Sequence, residues 1–302
     1  MRSSILPLVL LACLFFATLP AAAAETAALP LAGPFQRIVS LWPAHTANLV
    51  ELGLDREILA VADDDPLPGK RPRIACDGDP ARVIALKPDL VLIRPQISRD
   101  CPALVRALEQ RNIRVLSLQP AKASQLFAYW EALGKLTGRE REARTMIETF
   151  SRKLATITAD VRQIPKEKRK RVYFEAAHRP LHTFAPASLA MFVLESAGGV
   201  NVAADAERVR ETPLAAYGRE RLLAKADQID LYLAQSGRTN PVSVDDILRE
   251  PGFKAIPAVR KRQIFLVDEE LIAQPTMALI QTIGFVKSLL YPDYDQNGIT
   301  GL

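Results

Sequence analysis

The chain has 302 residues, of which 49% are hydrophobic and 24% are charged, and its net charge is +5 at pH 7. This length and apolar content suffice for a buried core in one large domain or two lobes. The cations are scattered among acids except in KEKRKR at residues 166–171. That run predicts a solvated linker rather than a nucleic-acid surface, so we expect no nucleic-acid partner.

The N-terminus has the pattern of an export signal. Arg2 supplies a positive charge, residues 5–19 are apolar, and three alanines ending at Ala24 satisfy the small-x-small cleavage rule. The apolar run is short for a membrane span, and charged residues follow it closely. We therefore predict a signal peptide over residues 1–24 and a periplasmic mature protein.

The three cysteines also bear on whether and how the protein is exported. Leu-Leu-Ala-Cys ending at Cys13 resembles a loose lipobox, so a lipid anchor at Cys13 is the alternative to cleavage near Ala24. Cleavage would leave Cys76 and Cys101, and two cysteines in an oxidising compartment favour a disulfide. The alternative is a pair of buried thiols.

Short apolar runs predict the strands of a first α/β lobe over residues 35–138. The predicted strands are Arg37–Leu41, Ile58–Ala62, Leu90–Ile93 and Arg114–Leu118. They are continuously apolar rather than alternating, which is typical of parallel strands covered on both faces.

The loop WPAHTAN, residues 42–48, joins the first strand to a predicted helix. Ligand sites of α/β sheets lie beyond the carboxyl ends of the strands, so Trp42, His45 and Thr46 are candidate ligand contacts. Two structural alternatives remain open. His45 could cap its helix, and Trp42 could pack beneath the loop instead of stacking on a ligand.

Residues 139–165 predict one long helix. Apolar residues recur there at helical spacing from Ala143 to Ile164, and Pro165 ends the pattern. A helix of about 25 residues is nearly 40 Å long, too long for a single βαβ crossover, so it could run from one lobe to another.

A second α/β lobe is predicted over residues 169–292, followed by a polar tail at 293–302. Its predicted strands are Arg171–Glu175, Leu181–Phe184, Leu231–Ala234 and Ile264–Val267, with helices at Pro186–Ala197 and Ala273–Leu290. The predicted fold class is thus α/β, with two Rossmann-like lobes joined by a single long α-helix and a ligand cleft between them.

Signatures of catalysis are missing from the sequence. It contains no G-x-G-x-x-G, phosphate loop, G-x-S-x-G, H-E-x-x-H or C-x-x-C, so we predict a binding protein and not an enzyme. Pro180 lies between His178 and His182, which argues against a helical zinc pair. His45 and His182 each lie near the start of a lobe, where they could bind a metal or a metal-bearing ligand axially.

Five stretches, in this order, resemble one family. They are RIVSLWPAHTANLVELGLDREILAVA, DPARVIALKPDLVLI, ESAGGVNVAAD, GRERLLAKADQIDLYL and PGFKAIPAVRKRQIFLVDEELIAQP. Together they are similar to the periplasmic substrate-binding proteins of ABC importers for vitamin B12, iron–siderophores and haem.

The resemblance implies partners and a docking mode. In this family the ligand lies in the cleft, the lobes move little, and one glutamate on each lobe docks onto the membrane permease, which works with an ATPase. The second-lobe glutamate corresponds to Glu220. The first-lobe position is occupied by Ala81, so Asp79 is the candidate substitute for the docking glutamate. We also expect the protein to be a monomer.

The resemblance also implies a ligand wall. The candidates are Trp42, His45, Thr46, Arg94 and Gln96 from the first lobe, and Arg179, His182, Tyr217, Arg238 and Gln274 from the second. Arginines suit a carboxylate or phosphate, and aromatic rings suit a flat macrocycle. A corrinoid (cobalamin) therefore ranks first, then an iron–siderophore, haem and a bare metal ion. We predict no resident cofactor, since cobalt or iron would arrive with the ligand; a ligand sensor without transport is the remaining alternative.

Overall fold

The computed structural model describes residues 34–210 and 212–293. The predicted signal peptide, Cys13 and residues 294–302 of the predicted tail lie outside the described residues. Within the described part of the chain, no helix is long and apolar enough to cross a membrane.

The first sheet is formed by five strands and their connecting helices. The strands are β1 Ile38–Ser40, β2 Ile58–Ala62, β3 Arg73–Ile74, β4 Leu90–Ile93 and β5 Arg114–Ser117, and the helices are α1 Pro43–Glu51, α2 Pro80–Ala85, α3 Pro95–Asp100, α4 Pro102–Glu109 and α5 Leu126–Thr137. The strand order is β3-β2-β1-β4-β5, and all pairings are parallel. All carboxyl strand ends therefore lie at one edge, here called the N-lobe edge.

Helix α6, Glu140–Arg162, follows the first sheet and precedes the second in the chain. Its 23 residues lie within the range 139–165 over which the sequence predicted one long helix. Gly138 ends α5 with φ 65°, a left-handed conformation that glycine adopts readily, and this turn sends the chain into α6.

The second sheet is mixed. Its strands are β6 Arg171–Ala177, β7 His182–Phe184, β8 Val200–Asn201, β9 Glu207–Arg208, β10 Leu214–Ala216, β11 Leu231–Ser236 and β12 Ile264–Asp268. The helices of this lobe are α7 Leu189–Ser196, α8 Arg219–Ala224, α9 Val244–Arg249, α10 Pro257–Arg260, α11 Glu269–Ala273 and α12 Leu279–Leu290.

Register shows which ends of these strands meet. Strands β6, β11 and β12 are parallel, in the order β12-β11-β6, while β7 and β10 continue the sheet in antiparallel fashion. His182, the first residue of β7, pairs with Ala177 at the carboxyl end of β6 and with Ala216 at the end of β10. The start of β7 and the end of β10 thus join the carboxyl ends of β6, β11 and β12 at one edge, the C-lobe edge.

Each sheet turns one face to a shared core. Side chains alternate across a strand, so Ile38 and Leu90 of the first sheet and Val172 and Leu231 of the second all enter the same apolar cluster. Helices α5, α6, α7 and α12 complete this cluster. The opposite face of each sheet has its own smaller core. A single continuous core therefore connects the two lobes.

One predicted helix is interrupted. The sequence pattern predicted a helix over Ala273–Leu290, but α11 ends at Ala273, and Gln274 is extended with φ −98° and ψ 126°. The cause is Pro275, which disfavours helical geometry in the preceding residue. Helix α12 begins only at Leu279.

The structure pairs Cys76 with Cys101 in a disulfide, with their Cα atoms 5.9 Å apart. Cys76 follows β3 and Cys101 lies between α3 and α4. The bond therefore fastens the chain on both sides of β4 and α3, next to the N-lobe edge.

We expect Phe150→Ala in α6 to be severely destabilising. Phe150 is fully buried and packs edge-on against Trp130, with ring centroids 5.2 Å apart. Its ring also stacks on that of Phe192 in the other lobe, with centroids 6.5 Å apart. Truncating a buried phenylalanine costs about 3–5 kcal/mol of unfolding free energy. Urea unfolding measures this loss. Glu148→Ala, on the exposed side of the same helix, should change the free energy of unfolding by no more than about 0.5 kcal/mol. Equal effects of the two changes would contradict the shared core.

Reducing the disulfide should also destabilise the protein. The bond joins residues 25 apart in sequence, and closing such a loop is worth roughly 3 kcal/mol in the chain-entropy model. Thermal melts with and without reductant measure the effect. A Cys76→Ala, Cys101→Ala double variant is the matched control, because its melting temperature should not respond to reductant.

Candidate functional site

The predicted ligand loop at the start of α1 is buried. Trp42 is the N-cap of α1 and Pro43 occupies its first turn, where the missing N–H has no partner to lose. Trp42 is 5% exposed and its ring packs edge-on against His45, with centroids 4.9 Å apart. This arrangement agrees with the packing alternative for Trp42, whose ring has little exposed surface.

His45 is fully buried and both of its ring nitrogens are engaged. Nε2 donates to the carbonyl of Ile93 at 3.0 Å, and Nδ1 accepts from the hydroxyl of Tyr129 at 2.7 Å. Burial lowers the pKa of His45 to about 4, which keeps the ring neutral. In this arrangement neither nitrogen is free for the axial contact with a metal or ligand that the sequence predicted.

Thr46 is likewise 1% exposed, and its hydroxyl donates to that of Ser40 at 2.7 Å. This contact ties the first turn of α1 to β1. Thr46 therefore has little exposed surface for a ligand.

The same hydrogen-bond network reaches the other lobe. The Tyr129 hydroxyl accepts from Asn48 Nδ2 at 3.3 Å, and Asn48 Nδ2 also donates to the carbonyl of Pro275 at 3.0 Å. Trp130 Nε1 donates to that carbonyl at 3.0 Å. Two side chains of the N-lobe thereby bind one backbone oxygen of the C-lobe in a buried environment, an arrangement here called the Pro275 link.

Arg94 and Gln96 remain accessible at the N-lobe edge, directly after β4. Gln96 is exposed and Arg94 is half-buried, with its guanidinium carbon 5.8 Å from the centroid of the Trp42 ring. Burial, reinforced by the charge of Arg238, lowers the pKa of Arg94, while Asp64 raises it. Trp42 thus supports a cation at this edge rather than a ligand.

A cavity of about 810 Å³ opens at the C-lobe edge. Its lining comes entirely from the C-lobe and consists of His178, Arg179, Pro180, Leu181, His182, Glu207, Ala216, Tyr217, Gly218, Arg219, Glu220, Arg221, Glu250, Pro251 and Phe253. Its size lies in the range typical of small-molecule sites. The wall carries arginines and glutamates side by side, so it offers hydrogen-bond donors and acceptors together.

The predicted residues of the second lobe divide into two groups. Arg179, His182 and Tyr217 all line the cavity, as does the predicted docking residue Glu220. Arg238 does not, since it reaches toward the N-lobe instead. Gln274 is half-buried beside the Pro275 link and also lies outside the cavity lining.

A chain of polar contacts fixes the cavity wall. Glu250, 8% exposed, accepts from Arg219 and from Arg179 at 3.3 Å, and its carboxylate lies 3.4 Å from Nε2 of His178. Nδ1 of His178 contacts the fully buried Glu175 at 3.1 Å. The hydrogen bond with Glu175 raises the pKa of His178, against the opposing effect of burial.

Tyr217 adds an aromatic surface to the cavity. It is 4% exposed, and the Arg221 guanidinium carbon lies 4.8 Å from its ring centroid. A cation at this distance from an aromatic face is attracted by the ring quadrupole. Tyr217 therefore positions Arg221 at the cavity as well as forming part of its wall.

Glu175 and Glu250 were not among the predicted site residues, although Glu175 carried a signal in the sequence. It lies within the buried strand RVYFEAA, where an ionisable residue needs a partner. Glu250 follows a short surface helix and gave no such signal. Among the described residues, no cluster of three or more His, Cys, Asp or Glu side chains could hold a metal ion.

Two α/β sheets that share a core, with a polar cavity at a carboxyl edge, define a two-lobed substrate-binding protein. Comparison with known families agrees. The chain belongs to the periplasmic binding protein family, whose model matches residues 77–271.

Curated relatives cover most of the chain at low identity. An ABC transporter substrate-binding lipoprotein of Bacillus subtilis is 24% identical, covering 85% of this chain and 81% of the relative. The ferric enterobactin-binding periplasmic protein of Escherichia coli is 24% identical, with 84% and 85% covered. A vitamin B12-binding protein of Vibrio cholerae is 24% identical, with 86% and 91% covered.

Solved structures share the fold. A possible iron-binding periplasmic protein of Staphylococcus epidermidis superposes with a TM-score of 0.74 at 20% identity, covering 86% of this chain and all (100%) of the other. A periplasmic haem-binding protein of Vibrio cholerae gives a TM-score of 0.72 at 20% identity, with 85% and 99% covered. These likenesses extend over both lobes.

Acidification should weaken the protein through His45. Its pKa falls from 6.5 to about 4 on folding, so between these values the unfolded chain binds more protons and stability falls as pH falls. At 1.36 kcal/mol per pKa unit the loss approaches about 3 kcal/mol. Urea unfolding from pH 7 to pH 4 should show the advantage of the wild type over His45→Gln shrinking by roughly this amount; a constant difference would contradict it.

His178 supplies a control of opposite sign. Its pKa is raised in the folded protein, so its contribution is present below the unfolded value and is lost as pH rises through the folded value. The advantage of the wild type over His178→Gln should therefore grow on acidification.

Proposed function

We propose that this chain is the extracytoplasmic binding component of an ABC importer and that it captures a metal chelate, a corrinoid or an iron–siderophore. The cavity at the C-lobe edge is the observation that carries this proposal. Its wall alternates arginines with glutamates around Tyr217, which suits a ligand whose periphery presents both hydrogen-bond donors and acceptors.

The ligand wall that we propose is smaller than the sequence predicted. On the C-lobe it comprises Arg179, His182 and Tyr217, which line the cavity. On the N-lobe it comprises Arg94 and Gln96, which remain accessible after β4. The chelate supplies its own cobalt or iron, so the protein needs to recognise only the organic periphery.

A pre-formed wall supports binding rather than catalysis. Glu250 and Glu175 hold Arg219, Arg179 and His178 in place without a ligand. Side chains that are already ordered lose little entropy on binding, which favours affinity. No acid–base or nucleophilic role is required of any of these groups in an import cycle.

Delivery to the membrane requires a permease and an ATPase as partners. Glu220, exposed in the first turn of α8 beside the cavity, is the docking residue that we propose on the C-lobe. On the N-lobe we propose Asp79, which is exposed and whose Oδ1 caps α2 by accepting from the Ala81 amide at 2.9 Å. Charged pairs of this kind steer association more than they add affinity.

We further propose that the mature protein is a periplasmic monomer released by cleavage near Ala24. The matched relatives include both a periplasmic protein and a lipoprotein. Mass analysis of the mature N-terminus would distinguish cleavage near Ala24 from a lipid anchor at Cys13.

Ligand titration tests the proposed function. The purified protein is mixed with cyanocobalamin, ferric enterobactin or haemin, and visible absorbance and tryptophan fluorescence are followed. Saturable binding of the corrinoid or the ferric siderophore is expected. Binding of haemin alone, or no response to any of the three, would contradict the proposal.

Arg179→Gln should weaken that binding. The Arg179 side chain is 82% exposed, so its replacement should leave the fold intact. Loss of one charged hydrogen bond, about 1.5–3 kcal/mol, corresponds to a tenfold or larger rise in Kd. Arg152→Gln on the exposed side of α6 is the matched control, with an expected Kd equal to that of the wild type. Equal Kd values for all three proteins would remove Arg179 from the site.

A further inference from the structure

One exposed ion pair joins the ligand-facing edges of the two lobes. Arg238, which follows β11 at the C-lobe edge, donates from Nη2 to Oδ2 of Asp64 at 2.9 Å. Asp64 follows β2 at the N-lobe edge, 174 residues away in sequence. Their side chains are 72% and 39% exposed. Unlike the buried Pro275 link, this contact is exposed to solvent and joins the N-lobe edge to the C-lobe edge.

The backbone of the Arg238 loop is rigidly held. The amides of Arg238 and Thr239 donate to the two carboxylate oxygens of Glu269, at 3.0 and 2.9 Å, and the Thr239 hydroxyl donates to the same group. A Cβ at position 237 would collide with the Glu269 side chain, so a larger residue there would have to displace the group that holds the loop. A fixed loop thus presents one long cationic side chain toward the other lobe.

A second arginine lies near this ion pair. Arg94 lies close enough to interact electrostatically with both Asp64 and Arg238. Its guanidinium lies over the buried Trp42 ring. Two arginines, one from each lobe, therefore lie near Asp64, and Arg238 is the one that is paired with it.

We infer that Asp64 is an internal anion that occupies Arg238 in the ligand-free protein, and that an anionic group of the ligand displaces it and binds Arg238 and Arg94. The second half of this inference rests on the proposed function. Exposed ion pairs contribute little net stability, so a ligand with several negative charges can displace the carboxylate readily. Bidentate binding to guanidinium groups then favours the ligand's own carboxylate, phosphate or catecholate oxygens.

Asp64 on this account determines selectivity by charge. A ligand that carries no anionic group cannot replace Asp64 on Arg238, and it must bind with the ion pair in place. A strongly anionic chelate gains two arginines but must first displace Asp64. Removing the charge of Asp64 should therefore help the anionic ligand and leave the neutral one unaffected.

A double-mutant cycle without ligand tests the first half. Urea unfolding midpoints are compared for the wild type, Asp64→Asn, Arg238→Gln and the double variant at low salt. We expect non-additive shifts, with the double variant no less stable than either single variant, and coupling that disappears at high salt. Additive shifts at low salt would overturn the ion pair as an element of the protein in solution.

Binding measurements test the second half with two probes of different charge. Ferric enterobactin, a trianion, should bind Asp64→Asn about tenfold more tightly than it binds the wild type, and Arg238→Gln about tenfold more weakly. Ferrichrome, a neutral ferric hydroxamate that carries no free anionic group, should bind all three proteins equally. Asp77→Asn, which removes an exposed carboxylate from the same edge after β3, is the matched control and should bind both probes as the wild type does.

The outcomes separate this inference from the proposed function. If ferric enterobactin binds the wild type and Asp64→Asn equally, the inference is overturned while the proposed function stands. If Asp77→Asn tightens binding as much as Asp64→Asn does, general charge and not the ion pair is responsible, and the inference fails. If neither probe binds any variant, the ligand-displacement step is overturned together with the proposed function, and the cycle still decides the ion pair.

Discussion

The carbonyl oxygen of Pro275 is the point at which the two lobes are fixed to each other. Asn48 and Trp130 both donate to it from the N-lobe, in an environment without competing water. Hydrogen bonds buried in this way are costly to break, since separation would leave three polar groups unsatisfied. Pro275 also breaks the helical pattern between α11 and α12, so the residue that interrupts the helix is the one that makes its carbonyl available.

The shared core extends this constraint through the molecule. Both sheets bury one face against α5, α6, α7 and α12, so a rotation of one lobe would have to repack a single apolar cluster. The ligand site is consequently built on parts whose relative positions are already set. The Asp64–Arg238 pair is different, because it is exposed and can break at little cost in free energy. We infer that it selects among ligands by their charge and does not fix the positions of the lobes.

Much of the fold was predictable because it depends on local patterns. The stripe in α6 predicted that helix to within three residues, and the apolar runs predicted eight of the twelve described strands to within two. The short strands β3, β8, β9 and β10 were not predicted. The helix predicted over Ala273–Leu290 was wrong at its start, because Pro275 prevents a continuous helix there despite the apolar pattern. The disulfide between Cys76 and Cys101 followed from cysteine count and compartment, and the structure pairs these residues.

The site was less predictable because burial of a loop depends on distant segments. His45 and Trp42 lie at the carboxyl end of β1, where ligands bind in such sheets, yet Tyr129 from α5 covers that loop. Nothing in the loop sequence indicates this cover. Among the residues that line the cavity, His182 was predicted from its place near the start of a lobe and Arg179 from the resemblance. Glu250 gave no signal in the sequence, because its contacts with Arg179 and Arg219 form only in the folded chain.

A crystal structure of the protein with its metal chelate tests the central claim most directly. The account predicts a ligand in contact with Arg179 and Tyr217 at the C-lobe edge, with Asn48 and Trp130 still bonded to the Pro275 carbonyl. A ligand bound elsewhere, or lobes displaced with that carbonyl released, would contradict it.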